Sequence, residues 1–432
     1  MRAIVLTISV SLGFLVAGCA SPAVGVCGHG CPAGMVCDYE NNRCVEARPP
    51  DCPRDLGRFL SAAVDSSEQI VFSAYAGEYG DLVVGRLLPD GTASCEYVDG
   101  TSGSGGQTGA PDILGDDVGL YSSLDLDVFD RPHVAYFDRT HGKLKYARKS
   151  SEGWSVVTVP HPAGKDDVYG RACWLRLDST GMPHIAFWDE SSGELEVAGK
   201  LSDGRWSLEK VPLDAGRGGW PGSFGGEVGR IVSLVLDSGD REWVAFRDVH
   251  DGSLKVAGRQ QEGWTVLLVD PGPDVANWVS AALDGDGNMA VAYNNRTTGS
   301  LMYAWNEGGV LSRLAVNAGR IADTSGAVRR YPVGQHCSLA FGADGLPRVL
   351  YLDAANLDLL YSVADREGGF EAPLVIASDG ATGFYNNLLR DSRAVSCTYS
   401  RSAKGDLQAQ VFSPDLDLMA GGKGGAGKGG AW

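Results

Sequence analysis

The chain has 432 residues, a formal net charge of -17, 60 glycines and 9% aromatic residues. So acidic a chain would repel phosphate, which argues against a nucleic-acid partner. Its length suits one large core or two smaller ones, and the glycines and aromatics suggest many short strands joined by tight turns.

Residues 1-18 carry one positive charge at Arg2 and then an uncharged apolar run too short to span a membrane comfortably, followed by small residues. This pattern predicts a secretory signal. Its end, Val16-Ala17-Gly18-Cys19, resembles the lipobox of bacterial lipoproteins. The resemblance implies cleavage before Cys19, lipidation of its thiol and stable attachment to a membrane, since several acyl chains hold where one is marginal. With Ala20 in second place, the family's sorting pattern favours the outer membrane or cell surface.

Residues 19-52 hold Cys27, Cys31, Cys37 and Cys44, with Cys52 after them. In an exported chain such density predicts a disulfide-stapled module, because so short a stretch cannot otherwise bury enough surface. Four cysteines allow three pairings, and a zinc site at Cys27, His29 and Cys31 is the alternative. The stretch is similar to the small EGF-like or Dickkopf-like modules found near the start of bacterial surface lipoproteins. With Cys19 acylated, nine of the ten cysteines remain. One thiol at least is then free or intermolecular, and Cys173 and Cys337, in apolar strand patterns, are the candidates.

From residue 57 the chain repeats itself. Asp65, Asp127, Asp178, Asp237, Asp284 and Asp391 each end an apolar run, with Gly342 at the remaining position. A glycine stands eight residues before each anchor (Gly57, Gly119, Gly170, Gly229, Gly334 and Gly383), except at Ala276. The second repeat shows four strand-like runs, "YSSLDLD", "PHVAYFD", "KLKYARK" and "WSVVTV", separated by glycine-containing turns. Repeats of this length with four antiparallel strands predict an all-β fold over 57-420, a seven-bladed β-propeller with four-stranded antiparallel blades, preceded by the small disulfide-rich module. The turns Glu152-Gly153-Trp154 and Glu262-Gly263-Trp264 resemble a degenerate Asp-box of BNR and sialidase-like propellers. A fourth strand for the last blade is expected from "DLDLM" at 415-419 or from the segment near Cys52 to Leu56, and 421-432 is a glycine-rich flexible tail.

In such blades the turn between strands two and three and the link to the next blade emerge on one face. The links are long here, and long loops on a rigid scaffold are where binding usually resides. The residues entering the inner strands on that face include Arg58, Arg171, Arg230, Asn277 and Gln335, then Tyr121, Trp278, His336 and Tyr385. Guanidinium forks and rings around a channel mouth suit an anionic or sugar-like ligand; ordinary ion pairing and packing are the competing reading. Asp138, Asp189, Asp248, Asn294 and Asp353 recur at the end of strand two, where a side chain that bonds its own turn is expected. His133 and His184 are read as strand-entry residues rather than metal ligands. Asp284, Asp286 and Asn288 alternate as calcium ligands do, but without a distant bidentate Glu, so a plain turn competes and no cofactor is required.

No GxSxG, HExxH or GxGxxG pattern is present. The expectation is a membrane-anchored lipoprotein whose propeller binds an envelope or extracellular glycan or an envelope protein. The alternative is a carbohydrate-active hydrolase or lyase using the same face.

Overall fold

The computed structural model describes residues 35-38, 43-46, 52-53, 56-87, 93-100, 115-162, 164, 166-213, 229-307, 310-322, 328-378, 380-389, 394-399 and 407-412. Six four-stranded antiparallel sheets follow one another along the chain, each built from consecutive strands. Their inner strands are Leu56–Val64, Val118–Leu126, Tyr169–Leu177, Val232–Leu236, Val275–Leu283 and Val333–Phe341. The last repeat supplies a three-stranded sheet of Ala381–Leu388, Ala394–Tyr399 and Leu407–Phe412. The expectation of seven four-stranded blades is therefore corrected to six. "DLDLM" and the tail lie outside the described residues, and Leu56 begins the inner strand of the first blade rather than closing the last.

The second strand of each blade is covered on both faces, which is why its apolar run alternates so poorly. Every residue of Pro132–Asp138 is buried. Burial alone does not hold adjacent blades in register, and a hydrogen-bonded rung four residues before the anchors does so. Ser61, Ser123, Ser233, Ser280 and Ser338 each accept the backbone N–H of the next inner strand, from Leu124, Leu175, Ala281, Leu339 and Leu388 at 2.9–3.0 Å. Asn387 continues the series into the first blade: its Oδ1 accepts from Ala62 N at 3.3 Å and its Nδ2 donates to Leu60 O at 3.0 Å. The three-stranded sheet thus sits between the sixth blade and the first and closes the ring. Trp174 holds the equivalent position in the third blade and breaks the series.

The recurring glycine has two causes, visible at Gly170. Its φ of +103° is a conformation that L side chains rarely adopt, and a Cβ there would lie 2.6 Å from Leu144 Cα of the preceding blade. Gly119 and Gly334 approach Leu82 and Leu301 in the same way. The anchor aspartates have an equally local reason. Oδ1 of Asp127, Asp178, Asp237 and Asp284 each accepts the N–H groups two and four residues on, clamping the turn between strands one and two. Asp284–Asn288 is therefore the same clamped turn as its counterparts, which accounts for the spacing of its oxygens without an ion.

Met35–Asp38 and Arg43–Glu46 form a small two-stranded sheet in which Cys37 stands opposite Cys44. Cys44 is disulfide-bonded. Cys19, Cys27 and Cys31 lie outside the described residues. Cys52 bonds Cys95 on the outer strand of the first blade, 43 residues away, fastening the module's end to the propeller. Closing a loop of that length restricts the unfolded chain, so Cys95→Ser is expected to destabilise the propeller by about 2–4 kcal/mol, read as a fall in denaturation midpoint under oxidising conditions. Cys173 and Cys337 are free and buried, as expected. Burial pushes the Cys337 thiol up to about 12. Among the described residues no helix is long and apolar enough to cross a membrane.

His133 and His184 begin equivalent second strands, yet their environments push them in opposite directions. Burial lowers His133 to about 4, outweighing the nearby Asp127 carboxylate. Burial also disfavours charge on His184, but the hydrogen bond and charge of Glu242, 2.7 Å away, together with Asp178, raise it above its ordinary value. The signs follow from linkage. For His133 the unfolded chain binds a proton below about 6.5 that the fold refuses until about 4, so as pH falls through that window stability drops by about 2–3 kcal/mol. For His184 the contribution is full below its unfolded value and is lost as pH rises through its higher folded one. Imidazole NMR titration should resolve the two, and His133→Gln should remove the acid-side loss.

Candidate functional site

The entry to the inner strands does turn side chains inward, through backbone rather than through composition. Two residues after the recurring glycine, Phe59, Tyr121, Ala172, His336 and Tyr385 have φ between 49° and 55°, in the left-handed region. These positions lie on register shifts where inner and second strands lose their regular pairing. From different blades their rings then meet. Phe59 lies 4.6 Å from Tyr121 and 5.3 Å from Tyr385, and Trp278 lies 3.6 Å from His336, centroid to centroid.

This cluster fills the axis. The space left among Phe59, Tyr121, Trp174, Arg230, Trp278 and Tyr385 is about 30 Å³, roughly one water molecule. Arg230 reaches across it, donating to Leu60 O at 3.2 Å and Asn386 O at 3.3 Å, with its guanidinium 4.7 Å from the Trp174 ring. Burial lowers the Arg230 guanidinium to about 10. His336 accepts the backbone N–H of Tyr385 at Nδ1, and burial together with the Arg230 charge lowers it well below its usual value. Trp278, His336, Tyr385 and Arg230 therefore form a packed plug, the structural role that competed with ligand binding in the sequence. Asn277 donates to Asp274 at 2.9 Å, and Gln335 lies half-buried on the sixth inner strand and lines neither cavity described here.

Arg58, Arg171 and Tyr121 meet elsewhere. With Tyr75, Leu120, Phe137 and Arg139 they line an open cleft of about 340 Å³ across the first three blades. Arg139 follows Asp138 on the turn between strands two and three, so it belongs to the same face as the strand entries. That rule of topology was the signal that could have found it, whereas Tyr75, the penultimate residue of the first blade's second strand, carried none.

The cleft gathers three guanidinium groups in an acidic protein. Arg139 pairs with Asp117, which also accepts from Tyr75 Oη at 3.1 Å. Burial and the Asp117 charge raise the Tyr75 phenol, keeping it a hydrogen-bond donor. Arg171 Nε is 2.7 Å from Glu190 Oε1, an ion pair by distance although its N–H is not aimed at that oxygen. The Arg171 guanidinium also lies 5.3 Å from the Phe137 ring, and that of Arg58 lies 5.6 Å from Tyr75. Three guanidinium groups, those of Arg139 and Arg171 beside the carboxylates of Asp117 and Glu190, bring planar donors together in this cleft.

The recurrent strand-end carboxylates act on their turns. Asp189 accepts from Ser191 N and from Ser192 Oγ, Asp248 from His250 N, and Asp353 from Ala355 N. Asn294 instead accepts from Trp278 N. Glu190 differs, because its counterparts in the second, fourth, fifth and sixth blades are Arg139, Val249, Asn295 and Ala354. Burial raises the Glu190 carboxyl and Asp189 adds to the shift, against the pull of Arg171.

No protein-family model matches the chain. No curated protein is similar to it in sequence. Among solved structures, puromycin hydrolase superposes with a TM-score of 0.53 at 14% identity, over 86% of this chain and 55% of that one. A protein from Lactobacillus plantarum superposes with a TM-score of 0.53 at 15% identity, over 84% of this chain and 95% of that one. The fold is a β-propeller. The chain spans only about half the length of the hydrolase, and at these identities the likeness concerns architecture alone.

Proposed function

We propose that this protein is an exported lipoprotein, anchored through Cys19, whose propeller binds a carboxylate-bearing envelope or extracellular glycan in the cleft of Arg58, Arg139 and Arg171. The observation that carries the reading is the convergence of three guanidinium groups and Tyr75 on one open cleft of about 340 Å³ in a chain of net charge -17. A carboxylate there would accept paired N–H donors. The overall negative charge does not forbid this, because salt screens distant charges within about 8 Å.

A hydrolase or lyase using the same cleft is the second reading. It is favoured by Glu190, an asymmetric carboxyl with its proton affinity raised beside Arg171. One experiment separates the two. The purified full chain is incubated with acidic and neutral polysaccharides while retention and product masses are followed together. Retention on acidic glycans without new masses supports binding; new saccharide masses that Glu190→Gln abolishes support catalysis. Equal behaviour towards acidic and neutral glycans overturns the proposed cleft chemistry.

A further inference from the structure

The third blade departs from its neighbours at a buried charge. In the second and fourth blades the chain entering the third strand reads Lys143-Leu144-Lys145 and Ser253-Leu254-Lys255, and the lysine in last place faces the carboxylate at the end of strand two. Lys255 Nζ lies 2.6 Å from Asp248, and Lys145 Nζ lies 3.9 Å from Asp138 while pairing with Asp99. The third blade reads Glu194-Leu195-Glu196, so Glu196 stands in the lysine's place opposite Asp189. Both carboxylates are almost wholly buried, their side chains 4% and 5% exposed. Among the described residues no lysine or arginine nitrogen forms an ion pair with either. The partner instead is His161, whose Nε2 is 2.8 Å from Glu196 Oε2 and 3.9 Å from Asp189 Oδ2.

We propose that His161, Asp189 and Glu196 form a site for one divalent first-row metal ion of the zinc type. Three observations support it independently of the glycan cleft. Ligand atoms of all three side chains lie within 4.8 Å of one another. A tetrahedral ion about 2.0–2.1 Å from each ligand sets them roughly 3.3 Å apart, between the two separations present here. Two carboxylates with a neutral imidazole need two positive charges for neutrality, which a divalent ion supplies where the neighbouring blades use lysine. Asp189 is meanwhile held by Ser191 N and by Ser192 Oγ at 2.7 Å, and His161 stacks on Tyr169 with centroids 4.3 Å apart, so two ligands are already oriented. The other His-carboxylate group, Asp116, Asp138 and His141, is more exposed, and Asp138 already has Lys145 nearby.

The test uses the full chain stripped with chelator and titrated with zinc chloride under calorimetry, with metal content and melting temperature followed. Cobalt(II) serves as a spectroscopic probe, because a nitrogen and oxygen ligand set lacks the thiolate charge-transfer band that cysteine binding would give. The expected result is one saturable ion per chain, d–d bands without that band, and a rise in melting temperature. Glu196→Gln should weaken binding by about 100-fold. Glu196→Lys should recreate the Lys–Asp pair of the adjacent blades, remain folded and lose both binding and the thermal response. Absence of a saturable site in the wild type, or its survival in a folded Glu196→Lys, would overturn the assignment.

Discussion

Replacing Arg58 and Arg171 together by alanine is expected to weaken retention on carboxylate-bearing glycans by about 100-fold, while the melting temperature changes little. Each substitution removes charge-assisted hydrogen bonds worth about 1.5–3 kcal/mol from a cleft that opens to solvent. Arg171→Ala also leaves Glu190 without its cation, so its negative charge is no longer offset beside the ligand. Arg230→Ala supplies the contrast. It removes a guanidinium packed on Trp174 and bonded to carbonyls of two other strands, so it should lower stability, with glycan retention by the folded protein preserved. Binding isotherms beside melting curves decide the matter. Unchanged affinity in the double variant would move the ligand to another part of the face.

The largest effect on stability is expected from Gly170→Ala, at about 3–5 kcal/mol. A side chain at φ +103° is strained, and its Cβ would meet the backbone of Leu144 at 2.6 Å, so the third blade must move away from the second. Gly153 isolates the first contribution. Its φ is +115°, but nothing lies within 4 Å of its Cβ direction, so Gly153→Ala should cost only the conformational part, about 1–2 kcal/mol. Denaturant midpoints of the two variants test whether the recurring glycine is kept for blade-to-blade approach. Equal losses would mean that backbone conformation alone explains it.

Both predictions draw on a repeat that could be read before any contact was known. The anchor aspartate and the recurring glycine are local necessities, a turn clamp and a strand entry, and so they reappear wherever the unit does. The serine rungs were just as regular, at Ser61, Ser123, Ser233, Ser280 and Ser338, but their partners lie in the next blade and their purpose appears only once blades are adjacent. Blade completeness was overestimated because six repeats with four strands each suggested the same for the last, which supplies three among the described residues.

The candidate site divides along the same line. Position along a strand marked Arg58, Arg171 and Arg230, and one residue further on Trp278, His336 and Tyr385, as candidates alike, since all enter an inner strand on one face. Whether an entering side chain lines a cleft or fills the axis depends on the size of the residues arriving from other blades. Phe59, Tyr121, Trp278, His336 and Tyr385 are together large enough to close the axis around Arg230, whereas Arg58 and Arg171 flank an open cleft. Sequence alone determined the repeating unit, its turns and the two buried thiols, because each follows from local spacing or apolar pattern. Tertiary structure alone decided which arginines meet, that Arg139 and Tyr75 join them, and that Glu196 faces Asp189 and His161, because those encounters depend on how separate strands and blades pack around a common axis.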